Sequence, residues 1–166
     1  MLPISVDLSR LKVVLVGDGE AARRRLALLD EAGAADLELY APHPPPALVA
    51  AAGGRLRRRL PEPAEIARAR LVFLARVEEP AAGRIRQIAA AAGVLLNTED
   101  EPAFSDFHSA AVVRRGDFTL AISTNGRSPG LAAAVRRKLE MLFGPEWQAR
   151  LDRAASSRAA LRAAGS

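Results

Sequence analysis

Three blocks of this chain carry residues whose types and spacing could do chemistry. The first is KVVLVGDGEAARRRLALL, Lys12 to Leu29, where a short apolar run stops at Gly17-Asp18-Gly19 and becomes a helical pattern. A buried strand feeding a glycine turn and then a helix N-terminus presents unsatisfied backbone N–H groups to a phosphate. Gly17 permits the tight turn, Gly19 lets a pyrophosphate approach the backbone, and Ala22 takes the third small position, where helix lies close to strand. The spacing outlines a dinucleotide site; the plainer alternative is a glycine turn joining a strand to a helix. The second block, Asn97-Thr98-Glu99-Asp100-Glu101-Pro102, is polar and acidic and follows an apolar run. The third is Thr124-Asn125-Gly126-Arg127-Ser128-Pro129. There a guanidinium, a hydroxyl and the N–H groups of a starting helix can converge on carboxylates, the alternative being that Arg127 braces its own turn or pairs with a second subunit.

The elements that must position these blocks alternate between strand and helix. The patterning predicts strands at Val13–Val16, Leu37–Tyr40, Leu56–Leu60, Leu71–Ala75 and Val94–Leu96. Helices are predicted at Glu20–Ala32, from the proline cluster to Ala52, at Pro63–Arg70 and at Pro80–Ala92. Each connection suits a parallel crossover, which places the acidic block at the carboxyl end of the last parallel strand, where open α/β sheets bind ligands. Two further strand-like runs, Ala111–Arg115 and Phe118–Ser123, flank Gly116-Asp117 and read as a hairpin. Ser128 and Pro129 then suit the cap and first position of a helix running to about Phe143. Pro145 starts a final arginine-rich helix whose tail is expected to fray at Gly165, and Trp147 and Met141 are expected to pack helices.

Composition narrows the class. A chain of 166 residues with 49% hydrophobic residues can bury a core, although much of that fraction is alanine. No apolar run is long enough to span a bilayer, and Asp7 and Arg10 interrupt the first apolar residues, so a cytoplasmic protein without a membrane role is expected. There is no cysteine to form a disulfide or thiolate metal site, and His43 and His108 lack metal-ligand spacing, so no resident metal is expected. The net charge of +5 is carried by arginine, since Lys12 and Lys138 are the only lysines. The densest basic run, Arg55 to Leu60, has few aromatics to stack on bases and reads as a solvated edge strand rather than a nucleic-acid surface. A positive surface suits a polyanionic small molecule better.

The segments LPISVDLSRLKVVLVGDGEAARRR, NTEDEPAFSDFH and VVRRGDFTLAISTNGRSPGLAAAVRRKLE resemble the precorrin-2 dehydrogenase and sirohydrochlorin ferrochelatase family, including the N-terminal part of siroheme synthases. The resemblance runs over roughly residues 1–145. It implies an α/β fold: a Rossmann-type NAD-binding domain over 1–109, a dimerisation hairpin region over 110–140 and a short helical C-terminal segment over 141–166. It further implies NAD-dependent oxidation of precorrin-2 to sirohydrochlorin, a tetrapyrrole substrate, ferrous iron as a second substrate where metal insertion follows, and a homodimer.

Carried onto this sequence, the resemblance implies cofactor contacts at Gly17, Gly19, Glu20, Ala21, Ala41 and Pro42. It gives Asp100 the role of base, both in the oxidation and in taking pyrrole protons during metal insertion, the alternative being that Asp100 caps its turn. Asn97, Thr124, Asn125, Gly126, Arg127 and Ser128 are the expected substrate contacts. The sequence departs from the family at Asp18, where glycine is common, at Glu99, where an apolar residue is usual, and at Ala75-Arg76-Val77-Glu78. No acid closes the second strand, so NAD and NADP both remain open, and a catalytically weakened tetrapyrrole- or nucleotide-binding protein is the alternative reading.

Overall fold

The computed structural model describes residues 2–163, and the chain divides between His108 and Ser109 into two units. The expected fraying at Gly165 lies outside the described residues.

The first unit is built on an apolar run with no polar face. β1 (Lys12–Val16) is fully buried from Val13 onward and lies in the middle of a five-stranded parallel sheet with β2 (Asp36–Tyr40), β3 (Leu56–Arg57), β4 (Leu71–Leu74) and β5 (Leu95–Thr98), in the order β3-β2-β1-β4-β5. Val13 stands opposite Leu37 on one side and Leu71 on the other. Successive side chains of a strand point to opposite faces, so β1 serves two cores. Val13 and Leu15 join Leu26 and Leu29 of α1 (Gly19–Glu31) and Leu48 of α2 (Pro46–Ala52). Val14 and Val16 join Ile66 of α3 (Pro63–Ala67) and Ile85 of α4 (Ala81–Ala91). Covering both faces is what makes an all-parallel sheet stable.

Two strands differ from the sequence expectation by more than one residue at an end. β3 stops at Arg57 instead of Leu60, because the Arg59 N–H turns back to Arg57 O at 2.9 Å and Pro61 follows. β5 runs on to Thr98 because two polar residues are admitted to the sheet interior: Asn97 pairs with Phe73 and Thr98 with Leu74. Both are buried, and local partners meet them, the Thr98 N–H donating to Ser105 Oγ at 2.9 Å. The third helix ends at Ala67 because the Arg70 N–H is already committed to Lys12 O at 2.9 Å, extending the β1–β4 ladder.

The second unit is the antiparallel hairpin of β6 (Ala111–Arg115) and β7 (Phe118–Ile122), followed by α5 (Pro129–Leu142) and α6 (Glu146–Ala163). Phe118 stacks against Phe143 and Trp147 at centroid separations of 5.7 and 5.1 Å. The Arg115 guanidinium donates to the carbonyls of Phe143 and Glu140, occupying acceptors left over at the end of α5. The Gln148 amide oxygen accepts the Asp117 N–H at the hairpin tip. Trp147 packs as expected, but Met141 does not: it is 78% exposed, on a face of α5 that nothing among the described residues covers.

The edge of the parallel sheet is held by a charged network. Arg59 makes two 2.7 Å hydrogen bonds to Glu65, whose carboxylate also accepts the Glu62 N–H as part of a capping box on α3. The Arg59 bonds hold the Glu65 carboxyl down at about 2, whereas burial holds the neighbouring Tyr40 hydroxyl well above its usual range. A carboxyl depressed on folding stabilises above its unfolded pKa and loses that contribution as pH falls through the folded value. Glu65→Gln should therefore melt about 2–4 °C below the parent protein at neutral pH. The gap should close between pH 4.5 and about 2 in thermal melts followed by circular dichroism.

Candidate functional site

The direction of winding reverses between β1 and β4, and in such sheets the crevice at the carboxyl ends is where a ligand fits. Gly17 leaves β1 at that point. Its N–H donates to Tyr40 O at 3.0 Å, while Ala75 N–H donates to Val16 O at 2.8 Å, so the turn is stitched to both neighbouring strands. The residue sits at φ +145°, and a Cβ there would lie 2.2 Å from Ala75 O. Only glycine fits. Gly19 begins α1 at φ +74° with open space around its Cβ direction. The Asp18 side chain at the cap makes no bond to the first turn of α1, so among the described residues no side chain competes with a ligand for those N–H groups.

The other expected cofactor residues gather on this edge. Ala21 is buried against the sheet, and Glu20 is exposed and paired with Arg23 at 2.7 Å, an interaction that holds its carboxyl below the usual range. Ala41 is buried and continues the sheet through its N–H bond to Arg57 O, and the half-buried Pro42 follows. The loop beyond them is tied to the glycine turn by the His43 N–H, which donates to Asp18 Oδ1 at 3.0 Å. That tie had one signal in the sequence, an acid between two glycines, but nothing to say where it pointed. A bare glycine cradle with an apolar wall beside it fits a dinucleotide.

The acidic block continues the same edge. Glu99 N–H extends β5 by bonding to Leu74 O, and Asp100 turns outward at φ +61°, exposed. Arg76, at the end of β4, is also exposed and left-handed at φ +54°. Such a conformation costs a non-glycine residue about 1–2 kcal/mol. Two of them on adjacent strand ends mark where strain collects, which is typical of functional edges. Behind Asp100 the chain is braced. Asp106 exchanges backbone and carboxylate bonds with Leu96 at 2.8 Å, and Arg86 lies 4.4 Å over the Phe104 ring. Asn97 belongs to this bracing: it is buried, its amide donates to Phe107 O at 2.9 Å, and its Oδ1 is buried with no hydrogen-bond partner among the described residues. Glu99 stands 3.6 Å from Arg24 with its second oxygen buried, and burial lowers the proton affinity of Arg25, whose guanidinium lies over Phe73.

The remaining expected substrate residues lie in the second unit, at the start of α5. Thr124 accepts the Ser128 N–H on its hydroxyl and the Arg127 N–H on its carbonyl, Asn125 takes φ +51°, and Ser128 caps α5 by accepting the Leu131 N–H. The two hydroxyls thus serve the turn, while Asn125, Gly126 and Arg127 are exposed. His43 is exposed and His108 half-buried.

Comparison with known proteins agrees with this arrangement. Residues 4–111 match a family model described as "Putative NAD(P)-binding", and residues 115–142 match one described as "Sirohaem biosynthesis protein central". Siroheme synthase 1 of Aeromonas salmonicida is 36% identical over 145 residues, which is 86% of this chain and 31% of that protein. The siroheme synthase of Pseudomonas fluorescens is 34% identical, over 84% of this chain and 30% of that one. The chain therefore spans about a third of the length of these relatives. Among solved structures, SirC, a precorrin-2 dehydrogenase, has the same fold, with a TM-score of 0.75 at 21% identity over 96% of this chain and 79% of that one.

The two glycines should respond differently to the same added methyl group. Gly17→Ala drives a Cβ into Ala75 O and should cost about 2 kcal/mol or more in urea unfolding. Gly19→Ala meets open space and should cost about 1 kcal/mol, the left-handed strain alone.

Proposed function

This chain belongs to the NAD(P)-binding family matched by residues 4–111, and from that premise we propose that it oxidises precorrin-2 to sirohydrochlorin with NAD as acceptor, as a step in siroheme formation. The observation that carries the reading is the uncapped start of α1 at the switch point of the sheet, with the Asp100 carboxylate exposed at the end of β5 on the same edge. The sirohaem-biosynthesis segment at 115–142 and the siroheme synthase relatives support the choice of substrate.

The oxidation removes a hydride and a proton from the macrocycle. NAD, when bound, supplies the hydride acceptor and leaves as NADH. The protein binds and orients it: the backbone of Gly17, Gly19, Glu20 and Ala21 holds the pyrophosphate, and Ala41 and Pro42 wall the adenosine. Asp100 accepts the proton from its exposed position just beyond β5. The exposed Arg127 turn binds carboxylates of the tetrapyrrole, with Asn125, Gly126, Thr124 and Ser128 shaping it. Asn97 acts from behind, by holding the loop that carries Asp100. Where ferrous iron follows as a second substrate, the same Asp100 takes the pyrrole protons it displaces.

The assembly we propose is a homodimer through residues 110–140. A two-stranded sheet is marginal on its own and has two unpaired edges, and the same unit exposes Leu131, Met141 and Leu142. Sedimentation should give a dimer at micromolar concentration, and a stable monomer would overturn this assembly.

The activity is tested by NADH formation with precorrin-2, followed by the absorption spectrum after adding ferrous iron. Asp100→Ala should lower kcat by about 100-fold or more with NAD affinity retained. Arg127→Ala should chiefly raise KM for the tetrapyrrole, by about tenfold. If both variants turn over with parent kinetics, the substrate site lies elsewhere.

A further inference from the structure

We propose that Asp18 is the residue that selects NAD over NADP, its carboxylate standing where the ribose-binding acid of the second strand is missing; the inference rests on the nucleotide reading above. In dinucleotide sites of this topology an acid at the carboxyl end of the second strand accepts from the 2′-hydroxyl of the adenosine ribose, and sites for the 2′-phosphate place an arginine there instead. Here β2 ends at Tyr40 and continues Ala41-Pro42-His43, with no acid.

Asp18 occupies the cap position of α1. A carboxylate at such a position normally accepts an N–H from the second or third helical residue. Asp18 makes no such bond, and its Oδ1 instead accepts the His43 N–H at 3.0 Å. The side chain is turned away from its own helix and delivered to the loop that follows β2. Two consequences follow from that one rotation. The first-turn N–H groups of α1 stay available for the pyrophosphate. A carboxylate also has about four lone-pair sites, so one backbone bond leaves acceptor capacity for a ribose hydroxyl.

The same charge repels a 2′-phosphate, and three of the four arginines on and around β3 are engaged with other acids. Arg55 pairs with Asp30, Arg57 of β3 with Glu38 at 3.1 Å, and Arg59 with Glu65 at 2.7 Å. Those three arginines are held by Asp30 of α1, Glu38 of β2 and Glu65 of α3, while Asp18 accepts a backbone N–H in these contacts.

The test is calorimetric titration of the full chain with NAD, NADP and the 2′-deoxyadenosine analogue of NAD. The parent protein should bind NAD about tenfold or more tighter than NADP, the size expected of one hydrogen bond to a charged group. Asp18→Asn keeps a side-chain oxygen for the His43 N–H but removes the charge, and should raise NADP affinity by about tenfold. Asp18→Ala should weaken NAD binding by about tenfold and should no longer distinguish NAD from its 2′-deoxy analogue. An unchanged ratio of NAD to NADP affinity in both folded variants would overturn the role of Asp18. If that ratio holds while Gly19→Val abolishes NAD binding, the nucleotide site stands and only this inference falls. If the parent chain binds neither nucleotide, both fall.

Discussion

The approach of Gly17 to Ala75 is the contact on which the rest of the first unit depends. Val16 and Gly17 end the central strand while bonded to both neighbours, and no atom beyond hydrogen can stand on the Gly17 Cα without entering the Ala75 carbonyl. That fixes where the chain leaves the sheet, and therefore where α1 starts. Everything downstream inherits the position. Leu26 and Leu29 meet Val13 and Leu15 only if α1 descends the sheet at that angle, and Ala21 and Ala22 are small because the helix begins so close to the strand. The functional opening at the helix start and the packing of the core are consequences of one steric fact.

The far side of the edge is arranged by the opposite means, with polar atoms instead of close backbone contact. β5 carries Asn97 and Thr98 into the sheet, and the segment after it folds back so that Ser105, Asp106 and the Phe107 carbonyl meet them. Burying such groups is favourable only when they are paired, and the loop conformation is largely dictated by that pairing. The exception is Asn97 Oδ1, which is buried without a hydrogen-bond partner among the described residues. Braced from behind, the loop can hold Asp100 in a left-handed conformation that L-residues adopt only at a cost.

The sequence made the parallel sheet legible wherever burial is two-sided, because continuous apolar runs such as Val13–Val16 and Leu71–Leu74 admit few other readings. It misled where polar residues entered the sheet, as at Asn97 and Thr98, and where a run of strand-like residues turned early, as at Arg59. In both cases the decision lies in a tertiary partner, Ser105 for one and Glu65 for the other, that local periodicity does not contain. The candidate site divides in the same way. Gly17 and Gly19 could be read from spacing, since their roles are backbone roles. The direction of the Asp18 side chain could not, because it is set by an N–H 25 residues away. Met141 failed for a related reason: an apolar residue at helical spacing reads as core whether or not this chain supplies anything to cover it.

The arginine excess separates into two populations once partners are visible. The run from Arg55 to Arg59, the most conspicuous in the sequence, is largely spent on internal structure: Arg55 on Asp30, Arg57 on Glu38, and Arg59 on Glu65 with its guanidinium 5.4 Å over the Tyr40 ring. A nucleic-acid surface needs such charges presented to phosphates, so this run argues against one despite its density. Arg76, where β4 ends, and Arg127, before α5, are among the exposed arginines. Both lie beside backbone held at positive φ, Arg76 in its own conformation and Arg127 two residues after Asn125. A guanidinium fixed on a constrained turn can meet a single carboxylate at a defined place by a bidentate contact, which suits a small carboxylate ligand better than a continuous polyanion.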